Sequence, residues 1–233
     1  MLLYLIRHGD PDYANDSLTP LGRRQAEAVS RRLALSGIDR VFSSSMGRAL
    51  ETAQPTCELL KKECTPLDWA REISARTTLP DGVDKSLAYL PNIYTRCRPE
   101  CDLDYDRSLE CRGFRGSGLE EGCACVIDGA RAWLETLGYA EDPETGLFRI
   151  TQPSEERIAL FCHGNMARTL LSYLLHVPVH IMWSSFSYPV TGVSVVHFAN
   201  REEGVTAPRC LSFCDLSHLY GERLPMQHNT ILL

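Results

Sequence analysis

No stretch of this chain is apolar over enough residues to cross a membrane or to act as the core of a secretory leader. The first apolar run, Met1 to Ile6, ends at Arg7; a membrane helix needs roughly 20 such residues and a leader core at least about 7. No C-x-x-C pair occurs, although the chain has ten cysteines, so the usual zinc-ribbon and thioredoxin spacings are missing. Without a leader toward an oxidising compartment, a disulfide framework is not expected. The cysteines are read as free thiols, ahead of a metal or redox role for Cys97, Cys101, Cys111, Cys123 and Cys125. Positive charge is in deficit as well: 24 Lys and Arg against 30 Asp and Glu give a formal charge of −6. That balance argues against nucleic acid as a partner, and any anionic substrate must be drawn into a local basic pocket. The expectation is a cytoplasmic protein that engages neither membrane nor nucleic acid. Nothing in the pattern speaks to its oligomeric state.

What is present is an ordinary globular composition, 44% apolar and 23% charged over 233 residues, ample for a sizeable core. Leu2 to Ile6 reads as a buried strand. "LTPLGRRQAEAVSRRLALSG" reads as a helix, with Thr19 as N-cap, Pro20 in the first turn and Gly37 closing the far end. Ile38 to Phe42 reads as a second strand. "SSSMGRALETAQPTCELLKKE" opens a second helix behind a serine cap, with Pro55 bending or breaking it. "CACVIDGARAWLETLGY" restores helical periodicity. "RIALFCHGN" is a strand followed by a helix over "MARTLLSYLLH". "GVSVVHF" and "APRCLSFC" read as paired strands joined by a turn around 202–204. Strands alternating with helices predict an α/β fold, a three-layer α/β/α sandwich around a mostly parallel central sheet. The expected organisation is one domain over 1–233, with an insertion at about 74–122 lying over the active site.

Two strands end in His-Gly, "YLIRHG" and "LFCHG". In such sheets ligands collect at the carboxyl ends of strands, which singles out His8, the adjacent Arg7, and His163. The glycine after each histidine suits a tight turn and close backbone approach to a ligand.

These residues carry a family resemblance. "LIRHGDPDY" resembles the R-H-G nucleophile motif of the histidine phosphatase superfamily, also called the phosphoglycerate mutase-like family. "LTPLGRRQA" resembles the helix start that follows it. "SSMGRALETA" resembles the S-P-L-x-R-A-x-x-T-A element, with Ser45 and Met46 in place of the proline and leucine. "FCHGNMAR" resembles the second His-Gly element. The resemblance implies a metal-independent phosphatase that needs no cofactor and acts on a small phosphorylated substrate. His8 would attack phosphorus and carry the phosphohistidine, while His163 would stabilise the transferring group. Arg7 and Arg48 would bind its oxygens, since guanidinium forks match phosphate bidentately. Flanking arginines disfavour imidazolium at His8 and so keep the nucleophile available.

The leaving alkoxide needs a proton. Many relatives use a glutamate after the second helix, and "LDWAREIS" supplies Glu72, with Asp10 and Asp81 as alternatives. Asn165 is a further candidate for the phosphate region, or a plain turn residue. Ser44 is read as a helix cap rather than a ligand, Arg168 as a third phosphate contact or a structural residue, and His218 as structural. Pro178 argues against His176 and His180 sharing a helical face. A phosphoglycerate mutase-type phosphomutase is the alternative function; "ISARTT" after Glu72 departs from the mutase pattern and favours hydrolysis. A non-catalytic phospholigand-binding protein is the second alternative.

Overall fold

The computed structural model describes residues 1–78, 84–86, 116–201 and 203–226. The chain opens with β1 (Leu2–Arg7), the short strands β2 (Pro11–Asp12) and β3 (Ser17–Leu18), and helix α1 (Pro20–Ser36). Strand β4 (Arg40–Ser44), helix α2 (Gly47–Leu60), β5 (Cys64–Leu67) and the pair β6 (Arg76–Thr78) and β7 (Asp84–Ser86) follow. Helix α3 (Leu119–Thr136), β8 (Tyr139–Glu141), β9 (Phe148–Ile150), β10 (Arg157–Cys162), α4 (Gly164–Leu175) and α5 (Val179–Ser185) come next. The last elements are β11 (Val193–His197), β12 (Val205–Thr206), β13 (Arg209–Asp215) and α6 (Ser217–Gly221).

Six strands form the central sheet in the order β13-β11-β1-β10-β4-β5. β1, β10, β4 and β5 run parallel, and β11 is antiparallel to both its neighbours. Side chains alternate across the sheet with the two-residue period of a strand. Leu3, Leu5, Ile158 and Leu160 enter one core cluster with α3, α4 and α5. Ile6, Ala159 and Phe161 enter another with Val29, Leu33 and Ala53 of α1 and α2. Helices thus cover both faces, giving the three-layer sandwich. Each such buried side chain contributes roughly 1.5–3 kcal/mol of hydrophobic stabilisation.

The ends of α1 follow the sequence signals. The Thr19 hydroxyl accepts the Gly22 amide, and Gly37 takes the left-handed conformation at φ +69°. α2 departs from its reading at the cap, which is Met46 and makes no side-chain capping bond; of the two roles expected for Pro55 the break is absent, since the helix runs through it as one element. Burial of Ala49, Thr52, Ala53 and Thr56 along one face supplies packing that offsets the hydrogen bond a proline forfeits. The second strand is Arg40–Ser44 rather than Ile38 to Phe42.

β11 and β13 do pair, but no simple turn joins them: β12 leaves between them to pair with β9 in a separate sheet, β12-β9-β8. Of the segment 74–122, Ala75 and Leu119 are fully buried in the larger core cluster, and the Arg76 amide donates to the Ser117 carbonyl (2.9 Å). Its two ends therefore meet at the core. Asp81, Cys97, Cys101 and Cys111 lie outside the described residues.

Candidate active site

Strand register brings the two histidines together. Arg7 lies opposite Cys162 in the parallel pair β1–β10, so the next residue of each strand leaves the sheet at the same level. The His8 amide donates to the Cys162 carbonyl (3.0 Å), and the His8 and His163 rings stand 5.2 Å apart, centroid to centroid. β4 ends alongside β10, which sets the Ser44 hydroxyl 2.8 Å from His163 Nε2. Ser44 is thus a histidine partner at a strand end, and not the cap of α2; the same oxygen accepts the Met46 amide (3.3 Å).

The glycines after the histidines serve neighbouring protein atoms. A Cβ at Gly9 would fall 2.6 Å from the Gly22 carbonyl oxygen, and one at Gly164 would fall 3.4 Å from Arg7 Cζ. The first allows α1 to pack against the strand end; the second is an ordinary van der Waals distance, which places Gly164 beside the Arg7 guanidinium.

His8 Nδ1 lies 2.7 Å from the Gly9 carbonyl. A carbonyl oxygen only accepts, so Nδ1 bears the proton and Nε2 carries the lone pair. Burial drives the His8 value well below the usual imidazole range, and the Arg7 and Arg48 guanidiniums push the same way. His163 is depressed likewise, by burial first and then by His8, Arg48 and Arg7. Both shifts favour the neutral imidazole.

The arginines are nearly buried, Arg7 at 4% and Arg48 at 5% exposure. Arg7 Nη1 donates to the Tyr188 carbonyl. Arg48 Nη1 pairs with Asp16 at 2.5 Å. Among the described residues, Arg7 Nε, Arg48 Nε and His163 Nδ1 are buried without a hydrogen-bond partner. Orphaned buried donors are costly and rare, about 1–3 kcal/mol each.

Arg7 and Arg48 line a cleft of about 470 Å³ together with Tyr13, Met46, Glu72, Ile73, Ser74, Arg76, Gly164, Asn165, Arg168 and Tyr188. The two histidines are 1% and 0% exposed and take no part in that lining.

Glu72 sits at the start of α4. Its Oε1 accepts the amides of Ile73, Asn165 and Met166, each at 3.1 Å. Among the described residues Oε2 receives only the Asn165 amide, at 3.4 Å. The carboxyl therefore supplies the capping acceptor that His163, at the N-cap position, does not. Burial raises its pKa above the ordinary carboxylate range, against the lowering pull of Arg7, the Met166 amide, Arg168 and Arg48.

Asn165 points into the same cluster: Nδ2 donates to the Ile73 carbonyl (3.0 Å) and Oδ1 accepts from Arg168. Arg168 also donates to the carbonyls of Gly164 (3.3 Å) and Trp183 (2.7 Å), so its guanidinium ties α4 to α5.

Asp10 is turned elsewhere. Its carboxylate accepts the Thr19 hydroxyl (2.7 Å) and its amide donates to Gln25 (2.8 Å), which fixes the start of α1. His218 bonds Thr191 (3.1 Å). His176 caps α4 in the left-handed conformation while His180 lies in α5, so the two share no face. Asp16 and Tyr188 carried no motif that would have drawn them out of the sequence, and Tyr13 closes the "LIRHGDPDY" stretch without a role of its own there. Among the described residues, no group of three His, Cys, Asp or Glu could hold a metal ion, and no helix is long and apolar enough to cross a membrane.

Residues 3–78 match the model of the histidine phosphatase superfamily (branch 1). A probable phosphoglycerate mutase from Proteus mirabilis is 34% identical over 61 residues, 22% of this chain, and a probable phosphatase from Schizosaccharomyces pombe is 38% identical over 68 residues, 25% of this chain. These matches span only 28% and 32% of those two relatives' lengths. Among solved structures, a phosphoserine phosphatase from Entamoeba histolytica superposes with a TM-score of 0.61 at 21% identity, covering 94% of this chain and 98% of that one. A mycobacterial glucosyl-3-phosphoglycerate phosphatase holding inorganic phosphate gives 0.62 at 20% identity, covering 93% and 98%. At these identities the structures speak to the fold.

Proposed function

We propose that the chain is a member of the histidine phosphatase superfamily, whose model its residues 3–78 match, and that it hydrolyses small phosphomonoesters through a phosphohistidine on His8, without a metal ion. The observation that carries this reading is the trio of buried, unpartnered nitrogens: Arg7 Nε, Arg48 Nε and His163 Nδ1. A phosphoryl group offers acceptor oxygens to all three, and charge stabilisation of this kind is what phosphoryl transfer asks of a protein.

In this mechanism His8 Nε2 attacks phosphorus, an N–P bond forms and the ester P–O bond breaks. Glu72 gives its proton to the departing alkoxide. With Oε1 occupied by three amides, Oε2 is the oxygen that carries that proton. The resulting carboxylate then takes a proton from water as the water oxygen attacks the phosphohistidine, and the P–N bond breaks to release inorganic phosphate. His163 and the two arginines hold the phosphoryl oxygens throughout, and Asn165 keeps Glu72 and Arg168 in register.

The segment similar to a probable phosphoglycerate mutase favours a second reading, in which the phosphoenzyme returns its group to a rebound product.

Release of phosphate from p-nitrophenyl phosphate in chelator-containing buffer tests the proposal. Wild-type protein is expected to turn over and to trap an acid-labile, base-stable phosphoryl group on alkaline quench, and His8→Ala to do neither. Activity unchanged in His8→Ala would sink the mechanism. Phosphoglycerate interconversion without net phosphate release would select the mutase, and phosphate binding without turnover would select a ligand-binding role.

A further inference from the structure

The two arginines are held in the same way by different means. Each has Nη1 tied to a protein acceptor and Nε buried without a partner: Arg7 on the Tyr188 carbonyl, Arg48 on the Asp16 carboxylate. A backbone carbonyl comes with the fold, but a carboxylate at that place depends on one side chain. Among the described residues Arg48 Nη2 reaches only the Met46 sulfur, at 3.7 Å, a weak acceptor that a phosphate oxygen readily displaces. Pinning Nη1 leaves the Nε–Nη2 edge as the one able to grip an oxyanion side-on.

Asp16 is itself anchored. Its second oxygen accepts the Gly47 amide (2.8 Å), the first residue of α2. Its backbone is left-handed at φ +47°. Its carbonyl lies so close to Gly47 that a Cβ there would fall 2.2 Å from it. The Arg48 side chain is 6% exposed and that of Asp16 43%, so the carboxylate braces a buried cation from the solvent side. The Tyr13 ring, 5.6 Å from Arg48 Cζ, closes over the same guanidinium.

We infer that Asp16 is a positioning residue for phosphate binding: its carboxylate fixes Arg48 Nη1 so that the Nε–Nη2 edge faces the phosphoryl group. The inference rests on the proposed function. It opposes the simplest electrostatic view, in which a carboxylate beside a phosphate-binding arginine competes with the phosphate and weakens its binding.

The test compares wild type, Asp16→Gly, Arg48→Ala and the double variant by calorimetric titration with inorganic phosphate and by p-nitrophenyl phosphate kinetics. Glycine keeps the left-handed backbone at no steric cost, so the close approach of its carbonyl to Gly47 survives, while both carboxylate bonds, to Arg48 and to the Gly47 amide, are lost. The phosphate Kd is expected to rise about tenfold or more in Asp16→Gly, the scale of a lost charge-assisted hydrogen bond, with kcat/KM falling at least as far. In the Arg48→Ala background the same substitution should change neither quantity, because its effect acts through Arg48. If Asp16→Gly does not fold, Asp16→Asn, which keeps size and removes charge, should still weaken phosphate binding several-fold. A competent wild type with unchanged or tighter phosphate binding in the folded variant, or an effect that persists without Arg48, would overturn this inference alone. A wild type that neither binds nor releases phosphate would overturn the proposed function, and this inference with it.

Discussion

Burial moves the two titrating groups of the proposed mechanism in opposite directions, favouring the neutral imidazole at His8 and the neutral carboxyl at Glu72. Desolvation disfavours the charged form of either group. The nucleophile therefore stays unprotonated well below the ordinary imidazole value of about 6.5. The acid is lost as the pH rises through the raised value of Glu72, so kcat/KM for an alkyl phosphate is expected to fall on the alkaline side. Glu72→Gln should remove that limb of the pH profile. It should also lower kcat for an alkyl phosphate by about 10²–10⁴-fold, the usual worth of a positioned general acid. p-Nitrophenyl phosphate should lose far less, because nitrophenolate leaves without a proton. Steady-state kinetics on the two substrates decide this: equal losses on both would mark Glu72 as a cap of α4 with no part in proton transfer. Asp10, which the sequence left as a rival acid, is spent on Thr19 and should show no such split.

At the level of elements, the site depends on how closely α1 approaches the end of β1. A Cβ at Gly22 would fall 2.2 Å from the Asp10 carbonyl oxygen. In an isolated helix, replacing glycine by alanine stabilises by about 1 kcal/mol. Here the overlap with backbone opposes that gain, and overpacking of a tight contact costs about 1–3 kcal/mol. Gly22→Ala is expected to lower the urea midpoint by that net loss and to reduce phosphate turnover, since His8 lies two residues before Asp10. A raised midpoint would show that α1 can move away freely. The same elements show where the sequence was legible. β1, β10 and α1 announce themselves through apolar runs ending in His-Gly, a Thr-Pro start and a Gly stop, all local signals of their own chain segment. Ser44 was read as a cap because the local pattern of a serine before a helix is identical in both roles. Only the register of β4 against β10 turns it toward His163. The strands β8, β9 and β12 span two or three residues each, too short to show periodicity, and they exist through pairings distant in sequence. Asp16 lay hidden for the same reason, since its meaning comes from Arg48 and Gly47 across a loop.

Across the whole molecule, three buried arginines, Arg7, Arg48 and Arg168, line one cleft in a chain of formal charge −6. Self-repulsion of that net charge is relieved by any salt, so a generic gain in stability with ionic strength says nothing about the cleft. A ligand that binds only the native state adds a separate increment, RT ln(1 + [L]/Kd), about 2.7 kcal/mol at one hundred times Kd. For a chain of this size about 1 kcal/mol moves the thermal midpoint by roughly 2–4 °C. Inorganic phosphate or orthovanadate at one hundred times Kd should therefore raise the midpoint by about 5–10 °C above sodium chloride of matched ionic strength. The increment should vanish in Arg48→Ala, which changes the net charge by one unit but removes one of the two arginines with a buried, unpartnered Nε among the described residues. Equal shifts from phosphate and chloride, or a phosphate shift intact in Arg48→Ala, would mean that the unpartnered nitrogens of the cleft are not what the anion finds. Differential scanning fluorimetry across a phosphate series separates these outcomes. The specific increment keeps growing as the logarithm of ligand concentration, whereas screening of self-repulsion levels off as the Debye length shrinks.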